Sequence, residues 1–273
     1  MLTALDLDAL ALELKAAQDQ VLQIQPITTR VSDFDLSAAY EVMHLIHRAR
    51  LTEGAKPIGR KIGFTNPNMW PIFGVCEPIW AYVYDTTVVQ LKGTETPFAL
   101  GMFAEPMIEP EIVLHFHKAP QAGARPVDIA DCIDWVAHGF EIVQSHFPAW
   151  RFQAPDTVAD SGLHGTLLIG PPQPLSKLGS DPVASLESFS LALSCDGRHI
   201  ETGKGGDVLG SPLAAAAHLV SVLAKQTGYP PIQAGEIVTT GTITTAQSIH
   251  AGETWRSEVQ GIALDGLTVE FGA

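Results

Sequence analysis

In the segment Met107-Ile108-Glu109-Pro110-Glu111-Ile112-Val113-Leu114, two glutamates stand two positions apart in an otherwise apolar run. A strand puts side chains at that spacing on one face, so the carboxylates converge. Two ionised carboxylates held side by side repel strongly at low effective dielectric unless a proton or a cation neutralises them. A hard divalent ion does this well. Mg²⁺, or Mn²⁺ in its place, takes carboxylate oxygens at about 2.0–2.1 Å and keeps positions open for water or substrate oxygens. Glu141, in Gly139-Phe140-Glu141-Ile142-Val143, is a lone acid in a second apolar run and the third candidate ligand, because burying an unpartnered acid is unfavourable. The bare Glu-x-Glu spacing also fits acids solvated on an exposed strand face; the hydrophobic flanks favour the metal site.

The elements around these acids change character along the chain. Up to about Leu51, apolar residues recur at helical spacing: Leu7, Leu10 and Leu14 in one run, Ala38, Val42, Leu45 and Ile46 in the next, with Ser37 a candidate cap. From Gly59 onward, short β-branched or apolar stretches alternate with Gly, Pro, Asn and Asp, as in Trp80–Val89, Glu111–Phe116, Thr166–Ile169 and Leu191–Ser194. The pattern predicts two helices inside this β-rich part, over Pro126–Glu141 and Pro212–Thr227, and strands again over Gly235–Phe271. The expected division is a helical region over residues 1–55 and a β-rich catalytic domain over 56–273.

Composition narrows the function. With 46% hydrophobic and 17% charged residues over 273 positions, the chain is neither disordered nor a polar solenoid. A net charge of −14 without a Lys/Arg-rich face argues against a nucleic-acid partner. The first 17 residues lack a basic start and a continuous apolar stretch, which predicts no secretion signal, no membrane partner and a cytoplasmic protein. The low charge content points to surface buried between subunits of a homo-oligomer. Cys76, Cys132 and Cys195 form no CxxC pair and read as reduced and structural.

Several segments in order resemble the hydratase and decarboxylase branch of the fumarylacetoacetate hydrolase superfamily. They are Gly59-Arg60-Lys61-Ile62-Gly63-Phe64-Thr65, Phe73-Gly74-Val75, Asp85, Glu109-Pro110-Glu111, Glu141-Ile142-Val143, Asp156-Thr157-Val158-Ala159-Asp160, Val208-Leu209-Gly210-Ser211-Pro212 and Gly235-Glu236-Ile237-Val238-Thr239-Thr240-Gly241-Thr242. The resemblance runs from about residue 35 to the C-terminus. It implies an α+β fold, a mixed β-roll or distorted barrel preceded by a small helical region. It also implies metal ligation by Glu109, Glu111 and Glu141, with Lys61 beside the substrate and Asp85 and Asp160 as acidic pocket residues. Thr240-Gly241-Thr242 would hold the substrate carboxylate. Burial near the metal would lower the pKa of Lys61 enough for proton exchange, with Asp85 or Asp160 relaying a proton to the distal carbon.

The sequence departs from the family pattern at Ser161, where Asn is usual, and at Trp80, Tyr82 and Trp70, which would add aromatic surface and admit a longer or ring-bearing substrate. His164 and His146 are pocket candidates by neighbourhood; His115 and His117 alternate with the paired glutamates. The implied activity is a metal-dependent hydratase, a hydro-lyase acting on a 2-hydroxy-2,4-dienoate or 2-oxo-4-enoate in aromatic-compound catabolism. The alternative is a decarboxylase of a 2-oxo-3-enedioate, whose distal carboxylate would need a cation such as Arg60, Arg151 or Arg256. Acylpyruvate-type C–C hydrolysis ranks lower, because no histidine lies between Lys61 and Glu109. A metal-binding scaffold without activity is the remaining possibility.

Overall fold

The structure is a computed structural model that describes residues 4–67, 70–73, 75 and 77–273. Cys76 and the central glycine of Phe73-Gly74-Val75 lie outside the described residues. Two helices come first, α1 (Ala4–Gln20) and α2 (Leu36–Thr52). The cap of α2 is Asp35, two positions before the expected Ser37: its carboxylate accepts from the Ala38 N–H at 2.9 Å, and as an acid at the positive end of the helix it also suits the dipole.

The strands and later helices follow as β1 (Pro57–Gly63), α3 (Trp70–Phe73), β2 (Ile79–Tyr84), β3 (Val88–Gln90), β4 (Glu95–Ala99), β5 (Met107–Phe116), α4 (Pro126–Ala130), β6 (Ile133–Val143) and α5 (Ala154–Ala159). They continue with β7 (His164–Ile169), β8 (Gln173–Pro174), α6 (Pro182–Ser188), β9 (Ser190–Cys195), β10 (Arg198–Lys204), α7 (Pro212–Lys225), β11 (Ile237–Thr242), β12 (Gln247–Ser248), β13 (Thr254–Gln260) and β14 (Thr268–Gly272). The larger sheet runs β2-β1-β11-β5-β6-β7-β3, with β12 added to β5 and β8 to β6; the smaller runs β10-β9-β13-β14-β4. Both are mixed, since β1–β11, β3–β7 and β14–β4 pair in parallel and the other pairs are antiparallel.

The helix expected over Pro126–Glu141 is only its first turn. Ile129, Cys132, Ile133 and Val136 mimic helical spacing, but from Ile133 the chain pairs with β5 all the way to Val143. Its β-branched and aromatic residues fit a strand buried on both faces, where a continuous apolar run carries no period. The expected helix over Pro212–Thr227 is α7. Its apolar side packs on β11 and β1, which accounts for the long apolar run in that part of the chain.

One large apolar cluster joins α1 and α2 to both sheets, including Leu14, Met43, Phe140, Leu219 and Val269. His138 bridges the sheets inside it. Its Nδ1–H donates to the Glu111 carbonyl at 3.0 Å, leaving Nε2 to accept from the Ser257 hydroxyl at 2.7 Å. Burial pushes its pKa down to about 4, so the imidazole stays neutral. Cys132 and Cys195 are buried free thiols.

Candidate metal and substrate site

Strand parity and register assemble the site. Glu109 and Glu141 face each other directly across β5 and β6, and Glu111 lies on the same face opposite Gly139. Two strands away, Lys61 of β1 pairs with Thr239 of β11, which pairs with Val113, so Lys61 shares that face. Arg60, on the opposite face, pairs with Glu236 at 2.8 Å and stacks over Tyr82, 4.2 Å from the ring centroid. Pro110 sits where β11 has ended and β12 has not begun. Its carbonyl accepts from Ile243 on that side, so its missing N–H falls in the gap between the two strands.

A bulge between Thr239 and Thr242 turns the backbone of β11 toward the acids. There the Gly241 N–H leaves the ladder and donates to Glu111 Oε2 at 2.8 Å. Gly241 has φ +94, and a Cβ at this position would lie 1.8 Å from Thr65 Oγ1, so only glycine fits. Glu141 is gripped on one oxygen: Oε1 receives the Lys61 ammonium at 2.8 Å and His164 Nδ1 at 2.7 Å, while His164 Nε2 reaches the Thr87 hydroxyl at 2.9 Å. Glu111 is 1% and Glu141 0% exposed, and Lys61 is 3% exposed, which removes the solvated-face alternative.

Each of these two glutamates has one satisfied oxygen and one orphan. Glu111 Oε1 and Glu141 Oε2 are buried without a hydrogen-bond partner among the described residues, a costly state for carboxylate oxygens unless a cation completes them. One oxygen from each of Glu109, Glu111 and Glu141 lies within 4.8 Å of the others. Three carboxylates converging in this way, against one ammonium, suit a hard divalent ion. The donor set therefore fits Mg²⁺ or Mn²⁺.

The electrostatics follow from that crowding. Burial raises the Glu109 pKa to about 7, with Glu141 adding to the rise and Lys61 opposing it. Burial and both neighbouring carboxylates push Glu111 well above the usual carboxylate range. Glu141 goes the other way: burial works against its charge, but Lys61 and His164 outweigh it and hold the pKa low. Burial also opposes the Lys61 ammonium, yet Glu141, Glu109 and Glu111 outweigh it and raise its pKa. With no ion among the acids, the direction is therefore opposite to the lowering anticipated from burial near a metal, and Lys61 stays protonated in the metal-free cluster.

A carboxyl whose pKa is raised by folding stabilises the fold in its protonated form, fully below its unfolded value of 4.5, and that contribution is lost as pH rises through about 7. Without divalent ions, the cluster should therefore lower Tm progressively from pH 6 to pH 8. Mg²⁺ competes with those protons, so the rise in Tm that it causes should grow over the same interval. Thermal melts with Mg²⁺ and with EDTA at each pH measure this; a Mg²⁺ effect independent of pH would contradict it.

A cavity of about 230 Å³ opens beside Lys61 and Glu109. Its wall includes Phe64, Thr65, Met107, Val143, Trp150 and Phe152, and its rim Gly241, Thr242, Thr244 and Thr245. Of the residues expected at the substrate, Gly241 and Thr242 reach it. The Thr242 hydroxyl has no partner among the described residues, whereas Thr240 turns its hydroxyl to the Ile112 carbonyl and the Gly241 N–H is committed to Glu111. His164 holds Glu141 from behind rather than lining the cavity. Asp160 is buried behind the wall, bonded to His146 Nδ1 at 2.8 Å and to the Gln18 amide, which also reaches Ser161. Asp85 is exposed and accepts from the Lys56 N–H at 2.9 Å. Neither aspartate is placed to relay a proton.

The aromatic surface differs from expectation too. Trp80 and Tyr82 are buried on the opposite face of β2, against Tyr40, His47 and Tyr229, because Lys61 pairs with Ala81 and parity sends their rings away from the cavity. Trp70 donates its Nε1–H to the Phe64 carbonyl. Trp150 and Phe152, which carried no signal in the sequence, supply the rings instead. His115 stacks on Trp135 and pairs with Asp134, and His117 bonds the Asp131 carbonyl, both away from the acids.

Residues 76–268 match the fumarylacetoacetate (FAA) hydrolase C-terminal family. A 4-oxalocrotonate decarboxylase of Pseudomonas sp is 27% identical over 224 residues, spanning 82% of this chain and 83% of that protein. A 2-keto-4-pentenoate hydratase of Paraburkholderia phymatum is 28% identical over 263 residues, 94% of each. Among solved structures, 4-oxalocrotonate decarboxylase from Pseudomonas putida G7, complexed with magnesium and adipate, superposes with a TM-score of 0.89 at 27% identity, covering 99% of both chains. The same enzyme complexed with calcium and acetate gives 0.87. The expected α+β fold with mixed, curled sheets is borne out, and these structural neighbours carry a divalent ion.

Proposed function

The chain belongs to the fumarylacetoacetate hydrolase family, and from that premise we propose that it is a divalent-metal-dependent hydratase. Its substrate is a 2-hydroxy-2,4-dienoate, and its product a 4-hydroxy-2-oxo acid. The observation that carries the choice over decarboxylation is the charge of the cavity. Among the described residues Lys61 is the only cation lining it, beside the acids, and the far wall is apolar. A 2-oxo-3-enedioate would bury its second carboxylate there without a partner, at a large desolvation cost. Arg60 is committed to Glu236 on the other face, Arg151 is exposed and off the lining, and Arg256 pairs with Glu258 in the second sheet.

Glu109, Glu111 and Glu141 would hold the ion. Bound there, it supplies Lewis-acid polarisation of the oxygen at C2. The chain's own groups supply the rest. Lys61, fixed by Glu141, brings its side-chain nitrogen beside the oxygen at C2, where enolate charge develops. Thr242 offers the free hydroxyl for the substrate carboxylate. His164 fixes the orientation of Glu141, as an outer partner does for a metal ligand. Phe64, Val143 and Leu163 keep bulk water from the reacting carbons. In the balance, C2–OH loses its proton as the carbonyl forms, C5 and C3 each gain one, and the oxygen of water bonds to C4.

Purified protein with 2-hydroxypenta-2,4-dienoate and Mg²⁺ should lose dienol absorbance and form a product heavier by one water, and EDTA should stop it. Decarboxylation of an unsaturated 2-oxo-enedioate at a comparable or higher rate would overturn the choice.

A further inference from the structure

Two aromatic residues of the cavity wall, Trp150 and Phe152, come from one strap, Phe147–Phe152, whose backbone is unusual. Ala149 and Trp150 both adopt left-handed φ, at 57° and 56°, and Glu105, which receives them, has φ 45°. No bulky aromatic prefers this conformation, so the surroundings impose it. They do so through three hydrogen bonds. The Ala149 N–H donates to the Glu105 carboxylate at 3.2 Å, the Trp150 N–H to the Phe147 carbonyl at 3.2 Å, and the indole Nε1–H to the Glu105 carbonyl at 3.0 Å. The Trp150 and Phe152 ring centroids are 6.0 Å apart, and Phe152 packs in turn on the buried Phe147.

The consequence lies in what the strap shows the cavity. The one polar atom of the indole is spent on backbone, so Trp150 and Phe152 present ring carbons only. Phe64, Met107, Val143 and Leu163 continue that surface. A hydroxyl, ammonium or carboxylate at the distal end of a substrate would lose hydration against it, while alkyl or aryl carbon would gain contact. The polar contacts for the other end stand at Lys61, Glu109 and Thr242.

We propose that the Trp150–Phe152 strap determines specificity at the distal end of the substrate and selects 2-oxo acids, as their dienols, that carry an alkyl or aryl group beyond C5. This rests on the hydratase reading for turnover, but not for binding, and the test separates the two. Calorimetry on the Mg²⁺-loaded protein with 2-oxopentanoate, 2-oxooctanoate and 2-oxoadipate reads binding with no turnover required. In parallel, kcat/KM is measured for 2-hydroxypenta-2,4-dienoate and for its homologues carrying an alkyl or phenyl group on C5.

Affinity should rise by roughly threefold per added methylene, so that 2-oxooctanoate binds at least about tenfold tighter than 2-oxopentanoate. The diacid should bind more weakly than 2-oxooctanoate. Trp150→Ala and Phe152→Ala should each flatten the ratio of long to short, and Trp150→Phe, which keeps an apolar ring, should retain most of it. If Trp150→Ala does not fold, Phe152→Ala and Trp150→Phe carry the comparison. Equal affinities along the series, tighter binding of the diacid, or an unchanged ratio in the alanine variants would overturn the assignment. Tighter binding of long acids with no turnover of any dienol would sink the hydratase reading and leave the strap's role standing; turnover indifferent to tail length would do the reverse.

Discussion

Glu141→Gln is expected to remove Mg²⁺-dependent turnover by at least roughly 10³-fold, because the ion's charge stabilisation is worth several kcal/mol and each 1.36 kcal/mol is about tenfold. Mg²⁺ affinity measured by calorimetry should fall by more than about a hundredfold, beyond the 10–100-fold carried by outer partners of a metal ligand. The substitution keeps the side-chain volume, so the loss is not one of packing. It puts an amide where the orphan Oε2 faces Glu111, and it deprives Lys61 and His164 of the anion that both contact through Oε1. A near-unchanged far-ultraviolet spectrum with lost Mg²⁺ binding is the expected pair of observations. Turnover within tenfold of the parent, still abolished by EDTA, would remove Glu141 from the ligand set.

The glutamates were legible because strand parity is written in the sequence: positions 109 and 111 share a face whatever the partner strand is. Lys61 was not legible by that route. Nothing local separates it from Arg60, and only the register with β2 and β11 shows which of the two faces the acids. The same register explains Trp80 and Tyr82, whose bulk was visible but whose direction was not. Thr240, Gly241 and Thr242, expected to act together, are separated by a bulge, a feature of pairing that no residue type announces. Asp85 and Asp160 fell short for a different reason. Each is acidic and near a site residue in sequence, but one caps a backbone N–H at the surface and the other anchors α1 through Gln18.

The misassigned helix over Pro126–Glu141 reflects a limit of periodicity itself. A strand buried on both faces shows apolar residues at every spacing, including three and four, so β6 satisfied the helical pattern by excess. Trp150 marks the opposite limit. Its position depends on left-handed backbone imposed by Glu105, 45 residues earlier, and local preference at Pro148-Ala149-Trp150 argues against that conformation.

Lys61→Met separates the roles of charge in this site. Turnover should fall by about 10²–10⁴-fold, the span of a positioned proton-holding group, while Mg²⁺ still binds, since a competing cation has been removed from beside the ligands. Stability should respond in the opposite way to metal. In EDTA, removing one partner of a buried ion pair should cost about 3–5 kcal/mol, because Glu141 is left with His164 alone and two further carboxylates crowd it. The loss should be greater at pH 8 than at pH 6, where Glu109, with its pKa near 7, begins to share the proton load. Mg²⁺ should restore most of it by supplying the missing positive charge. Urea unfolding at both pH values, with and without Mg²⁺, tests all three statements. If the stability loss persisted undiminished in saturating Mg²⁺, Lys61 would be acting through packing against Gly162 and Ala81 rather than as the counter-charge of the carboxylates. If instead stability recovered and turnover did not, the ammonium would be serving both as the internal counter-ion of the site and as the proton-bearing group beside the oxygen at C2.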